Sequence, residues 1–185
     1  MSVKNLAYIA MAAVILCVCS WLTIPFTVPF TMQTFGVYCA LLILGGKRGL
    51  AAIGLYMLLG IVGLPVFSGF RGGLGHVLGP TGGYIVGFLF TGLAYLLLEK
   101  PLEKLRWLPR VLALEACILP CYLVGTLWFT AVYGMQGKEM GFLTALGLCV
   151  LPYLAPDLVK LVLAERVSGR VRKLLPEAQR AAEKR

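Results

Sequence analysis

Long apolar runs leave this chain few folds. They cover roughly residues 6–24, 35–44, 50–64, 84–98, 111–133 and 142–164, separated by short polar or glycine-rich stretches. A bilayer core of roughly 30 Å is crossed by about 20 helical residues, and most of these runs approach that length. With 59% of its 185 residues hydrophobic and 14% charged, the chain holds more apolar surface than a water-soluble core of this size can bury. The alternating pattern of a membrane β-barrel is absent, and a helix satisfies its own backbone hydrogen bonds inside lipid. The sequence therefore predicts an all-α integral membrane protein with about six transmembrane helices. The second run is short for the bilayer, so it is expected to extend into flanking residues or to be shielded by its neighbours.

The basic residues supply an orientation. With the amino terminus in the cytoplasm, Lys4, Lys47, Arg48, Lys100, Lys104, Arg106, Arg110, Arg166, Arg170, Arg172, Lys173, Arg180, Lys184 and Arg185 all fall inside, while only Arg71 and Lys138 fall in outer loops. That asymmetry is what the positive-inside rule expects of an even number of spans, so both termini are predicted to be cytoplasmic. It also accounts for the net charge of +9 through juxtamembrane loops facing lipid, without a nucleic-acid partner. The basic tail from about residue 166, which includes Glu177 and Glu183, reads as a solvated helix. The first run is long and lacks a well-placed cleavage site, so it reads as helix one and not a signal peptide. Residues 1–185 are thus expected to form a single membrane domain.

Several chemistries are disfavoured. Cys17, Cys19, Cys39, Cys117, Cys121 and Cys149 lie in or beside apolar helices without zinc-site spacing, and read as small packing residues. No metal site or cofactor is predicted. The single histidine, His76, sits in a glycine-rich outer loop and would have to serve any imidazole-based mechanism alone. An enzyme using His76 or Asp157 as general base is the first rival reading, and it lacks a second catalytic group. No phosphate loop of the G-x-x-x-x-G-K-[ST] type is present, so ATP-derived energy would have to come from a partner.

Three segments carry candidate binding groups. Residues 64–83, LPVFSGFRGGLGHVLGPTGG, hold seven glycines in twenty residues together with Arg71, whose guanidinium suits a carboxylate. Exposed amides of Gly72 and Gly73 are candidate companions. Residues 24–34, IPFTVPFTMQT, combine Pro25 and Pro29 with Thr27, Thr31, Gln33 and Thr34, and read as a lid or as a capped turn. Residues 151–160, LPYLAPDLVK, place Asp157 and Lys160 on one face of the last apolar run. Each such charge costs about 2.5–3.5 kcal/mol at the centre of a membrane helix, so it is expected either to bind something or to pair internally. The second rival, a structural subunit, rests on that internal pair. Pro152 and Pro156 are expected to break the run, leaving Pro156 in the first turn of the final helix and Asp157 beside its amino terminus. Tyr56, Tyr84, Tyr122, Tyr153 and Trp128 are candidate aromatic walls or interface anchors. Ala10, Ala13 and Cys17 make a small-residue stripe on helix one that suits a partner helix or internal packing equally.

IPFTVPFTMQT, GLPVFSGFRGGLGHVLGPTGGY and LPYLAPDLVK together resemble the BioY family, the biotin-specific substrate-binding (S) components of energy-coupling factor (ECF) transporters, and the resemblance spans nearly the whole chain. It implies a six-helix protein of the prokaryotic cell membrane that captures biotin on the outer side. It further implies a transmembrane coupling (T) protein and two ATPase subunits as partners. An A-x-x-x-A pattern common on helix one in the family is absent here, and Ala13 with Cys17 is its nearest equivalent. With the residue chemistry, the resemblance implies that Asp157 accepts the ureido N–H groups and that Lys160 meets the ureido oxygen or steadies Asp157. Arg71, Gly72 and Gly73 would then hold the valerate carboxylate, with Thr31, Gln33 and Tyr84 closing the pocket. Lys160 is equally able to pair with the carboxylate, so the ligand's orientation stays open.

Overall fold

A computed structural model of the chain describes residues 3–25, 28–138 and 140–174. In chain order the elements are α1 (Val3–Trp21), β1 (Thr23–Ile24), β2 (Phe30–Thr31), α2 (Gln33–Leu44), α3 (Gly46–Ile61), α4 (Leu74–Val77), α5 (Gly82–Glu103), α6 (Trp107–Ala116), α7 (Leu119–Met135), α8 (Phe142–Cys149) and α9 (Leu151–Leu174). Each apolar run becomes one helix or two set end to end, and the only strands among the described residues are the two-residue pair β1 and β2. The fold is all-α, as expected. By length and composition, four stretches suffice to cross a membrane: Val3–Trp21, Gly82–Glu103, Trp107–Met135 and Phe142–Leu174.

The short second run resolves by shielding. At 12 residues α2 reaches only about 18 Å at 1.5 Å per residue. Ten of those residues are buried, so the helix meets its neighbours α1, α3, α5 and α9 instead of lipid. It is the central post of the bundle. Beside it, α5 and α7 approach closely because small residues line their contact. A methyl group on Gly87 would fall 2.7 Å from Sγ of Cys121, and one on Gly125 would fall 2.2 Å from the Tyr84 ring.

The helices alternate between two ends. At one end, Trp21 Nε1 donates to the Pro65 carbonyl at 2.8 Å and Trp128 Nε1 donates to the Gly79 carbonyl at 3.0 Å, gathering the β1–β2 hairpin, the glycine-rich loop and α7. At the other, the Gly46 amide donates to Glu99 Oε1 at 2.9 Å and Arg110 pairs with Glu165 at 3.2 Å, joining the α2–α3 turn, α5, α6 and α9. Arg71 and Lys138 belong to the first end, and the remaining basic loops to the second. Arg180, Lys184 and Arg185, with Glu177 and Glu183, lie outside the described residues.

The last run departs from expectation in where it breaks. The interruption falls at Val150, with φ −124° and ψ −53°, which separates α8 from α9. Pro152 then occupies the first turn of α9, where a missing N–H costs nothing, and Pro156 lies within the helix. Asp157 is therefore the seventh residue of α9 and does not sit beside its amino terminus.

Gly125→Ala should lower stability by about 1–3 kcal/mol, because the new methyl has to displace the Tyr84 ring. Gly54→Ala in α3, where an added methyl meets nothing within 4 Å, should be neutral or stabilising by up to about 1 kcal/mol. Thermal unfolding of the two variants in detergent checks the contrast; equal shifts would disprove the close approach of α5 and α7.

Candidate functional site

Asp157 and Lys160 are 3% and 5% exposed, and each has close hydrogen-bond partners. Asp157 Oδ1 accepts from Thr34 Oγ1 at 2.9 Å and from Lys160 Nζ at 2.7 Å, while Oδ2 accepts from Tyr122 OH at 2.6 Å. Lys160 Nζ also donates to the Thr31 carbonyl at 2.7 Å and lies 4.0 Å from the centroid of the Phe30 ring. Four elements meet here: α9 brings both charges, α2 brings Thr34, α7 brings Tyr122, and the hairpin brings Thr31 and Phe30. Two charges taken out of water need close pairing and further hydrogen bonds to persist, and both are present.

Neighbouring groups extend the polar floor. Thr31 Oγ1 donates to Gln33 Oε1 at 2.9 Å, and Gln33 Nε2 donates to Tyr56 OH at 2.6 Å. Tyr84 OH and Thr126 Oγ1 share a hydrogen bond of 3.2 Å. Of these side chains, Thr31, Gln33 and Tyr84 border a chamber of about 70 Å³ lined also by Ile85, Phe88, Ile118 and Tyr153. The hairpin roofs it: β1 and β2 pair antiparallel with Thr23 opposite Thr31, Tyr153 OH donates to the Val28 carbonyl, and the Tyr153 and Phe30 rings stack 6.1 Å apart. Thr27 lies outside the described residues.

Pro29, Ser68, His76 and Thr81 border both this chamber and an outer vestibule of about 470 Å³, to which Arg71, Phe129 and Tyr133 contribute. The glycine-rich loop is built on Phe67, which is fully buried, stands edge-on to Tyr56 at 5.5 Å and stacks on His76 at 5.4 Å. The Phe67 amide donates to the Arg71 carbonyl at 2.9 Å, closing a turn that carries Phe70 at φ 56° against Trp21. Arg71 itself is exposed. Burial and the neighbouring Arg71 guanidinium hold the His76 imidazole below its usual range.

Thr31, Gln33, Tyr84, Asp157 and Lys160 thus converge on one chamber, and Arg71 stands over the vestibule. Gly72 and Gly73 do not join them. The Gly73 amide donates to the Gly60 carbonyl at 2.7 Å and so is already used, and a methyl on Gly72 would fall 2.2 Å from the Leu64 carbonyl oxygen. Gly72 thus serves the close path of the loop across the end of α3, and Gly73 its positive φ of 88°. The stripe on helix one also divides: Ala10 faces outward, whereas Ala13 and Cys17 are 1% and 7% exposed and pack inside the chain against α2 and α3. A partner cannot meet all three together. Thr34 and Tyr122, the neutral donors to Asp157, were legible only as a loop donor and a candidate wall, because their pairing spans 123 and 35 residues of sequence.

Comparison with known proteins agrees with this architecture. The family model described as the BioY family matches residues 1–177. The chain belongs to the BioY family. A probable biotin transporter BioY from Pyrococcus horikoshii is 40% identical over 146 residues, covering 77% of this chain and 82% of that protein. The biotin transporter BioY of Thermotoga maritima is 35% identical over 156 residues, covering 84% and 88%. The crystal structure of an S-component for biotin from an ECF-type ABC transporter superposes with a TM-score of 0.80 at 28% identity, covering 92% of each chain. The fold described above is thus that of an ECF S-component, and the BioY chain is a membrane protein of a transporter family.

The floor of the site is expected to behave as one energetic unit. Lys160→Met alone should destabilise the protein by about 3–5 kcal/mol by leaving Asp157 without its countercharge. The double variant Asp157→Asn, Lys160→Met should cost less than the sum of its parts, with a coupling of about 0.5–3 kcal/mol. Chemical unfolding in detergent measures the cycle, and additivity within about 0.5 kcal/mol would contradict the pairing.

Proposed function

We propose that this BioY protein captures biotin at the outer face of a prokaryotic cell membrane as the substrate-specific S component of an ECF-type transporter. The observation that carries the proposal is the buried Asp157–Lys160 pair set in a small chamber that opens to a vestibule bearing Arg71. Biotin has matching halves: a compact ureido ring system with two N–H donors and a carbonyl, and a flexible chain ending in a carboxylate.

Hydrogen-bond capacity supports a deep head group. A carboxylate has about four acceptor sites, and Asp157 uses three on Thr34, Lys160 and Tyr122, so one further N–H fits without displacement. Of the three ammonium donors of Lys160, Asp157 and Thr31 take two, which leaves one for a ureido oxygen. The carboxylate then extends into the vestibule toward Arg71, where solvent and the exposed guanidinium meet it. Thr31, Gln33 and Tyr84 close the chamber wall.

In this reading residues 1–185 form one transmembrane substrate-binding domain that crosses the membrane six times, with α6–α7 and α8–α9 each counted as one crossing. The basic end is cytoplasmic, as are both termini, and the vestibule faces outward. The chain binds and does not transform its ligand. Its energy comes from a transmembrane coupling protein and two ATPase subunits, in keeping with the absence of a phosphate-loop motif in the sequence. Lipid is the other partner, and Ala10 is what remains of the helix-one stripe for a coupling protein to touch.

Calorimetry on protein purified without biotin should give saturable biotin binding. Charge-assisted hydrogen bonds are worth about 1.5–3 kcal/mol, so Asp157→Asn should weaken binding about 10- to 100-fold. Biotinamide, which lacks the negative charge, should bind the wild type more weakly than biotin does, and this preference for biotin should shrink in Arg71→Ala. Folded protein without biotin binding would refute the function, and an equal preference for biotin in Arg71→Ala would reverse the orientation.

A further inference from the structure

His76 is a titratable residue of the cleft whose placement the capture of a neutral head group leaves unused. It borders both the deep chamber and the vestibule, so any ligand occupying the two passes it. Its ring cannot move freely, because it stacks on Phe67, and Phe67 is wedged over Gly60, where an added methyl would fall 2.0 Å from the ring. Its Nε2 is buried and has no hydrogen-bond partner among the described residues. A buried nitrogen left unpaired costs about 1–3 kcal/mol, and such an atom at the neck of a binding cleft is a contact waiting for an occupant.

The charges around His76 identify that occupant. Its own loop contributes Arg71, whose positive charge opposes an imidazolium. From α9, Asp157 and Lys160 face the deep chamber as an ion pair 2.7 Å apart, presenting little net charge. Tyr84 from α5 and Tyr133 from α7 contribute hydroxyls, and Tyr56 from α3 stands behind Phe67. Lys138, with its ammonium 5.9 Å from the Tyr133 ring, adds positive charge from the end of α7. Among the described residues the vestibule side of the neck is therefore positive, and a carboxylate arriving there supplies a matching negative charge.

We propose that His76 takes up a proton when a ligand carboxylate enters between it and Arg71, so that ligand capture by this chain is coupled to proton binding. The proposal rests on the biotin-binding reading and adds a second, titratable contact to it. The proton comes from solvent and forms an N–H on the imidazole, which then donates to the carboxylate. In the empty protein, burial and Arg71 hold His76 below the usual 6.5 of a histidine, which favours its neutral form. With the anion bound, the charged form gains a partner and its pKa rises. Affinity should then increase as pH falls from the bound-state value to the empty-state value, by about tenfold for each pKa unit separating them. Above that window affinity stays at its lower level, and below it affinity levels off.

The test is calorimetry of biotin binding at about pH 6 in buffers of different ionisation enthalpy, which counts protons taken up per ligand. The wild type should take up a measurable fraction of a proton. His76→Gln and His76→Asn, each checked for folding by thermal unfolding, should take up none, and their affinity should lose its dependence on pH. Biotinamide should release the wild type from the same dependence. Biotin binding without proton uptake between about pH 5 and pH 8, or uptake that persists in both variants, overturns the proposal and leaves the biotin reading standing. Failure of folded wild-type protein to bind biotin overturns both.

Discussion

The Asp157–Lys160 pair is the constraint on which the rest of the structure depends. A carboxylate and an ammonium inside a membrane bundle persist only when each is matched, and here the matching groups come from α2, α7 and the hairpin as well as from α9 itself. Satisfying two charges thus fixes the relative positions of four elements that lie far apart in sequence. A purely apolar floor would fill the same space but would leave α2 and the hairpin free to slide. The rival reading of the pair, as an internal lock, and the proposed one, as a binding floor, therefore describe the same atoms: the lock is what holds the chamber in shape.

Packing around that floor explains why the chamber is small and the vestibule wide. Glycines at the α5–α7 contact draw the two helices together beside the site, and bulky rings at 84, 88, 122 and 153 line and narrow the chamber. Toward the vestibule, Phe67 supports the glycine-rich loop from beneath, so that a segment with little regular secondary structure is held by one buried ring, two tryptophan hydrogen bonds and a short turn. Preorganisation of that kind lowers the ordering cost of binding, which is where much of the affinity for a small ligand is otherwise lost.

Much of the fold was legible because hydrophobic length and charge asymmetry are local properties. All six runs correspond to helical units, and the shielding expected for the second follows from its length. The breaks were less legible. Pro152 and Pro156 drew attention to the final run, yet the interruption lies at Val150, since a proline in a first turn is compatible with a helix and only the tertiary path decides where the chain bends. In the site, Asp157 and Lys160 stood out because charge is rare in apolar helices, whereas Thr34 and Tyr122 did not, because hydroxyl residues are common and their partner is remote in sequence. Gly72 and Gly73 were ambiguous for a related reason: glycine marks close backbone approach or positive φ, but the sequence does not say whether a ligand or the chain requires it. Here Gly72 passes the Leu64 carbonyl, while Gly73 takes φ 88° and donates to the Gly60 carbonyl.

The hairpin joins these levels. Its roof over the chamber depends on Lys160 reaching the Thr31 carbonyl, on Tyr153 reaching the Val28 carbonyl, and on Phe30 lying over the ammonium and beside Tyr153. Every one of those contacts starts from α9, the helix that also carries Asp157. Two of the three ammonium donors of Lys160 go to Thr31 and Asp157 and the third faces the chamber, so the residue that anchors the roof also belongs to the floor. Two short strands are thereby tied to the floor through a lysine whose burial would otherwise be a cost without a return.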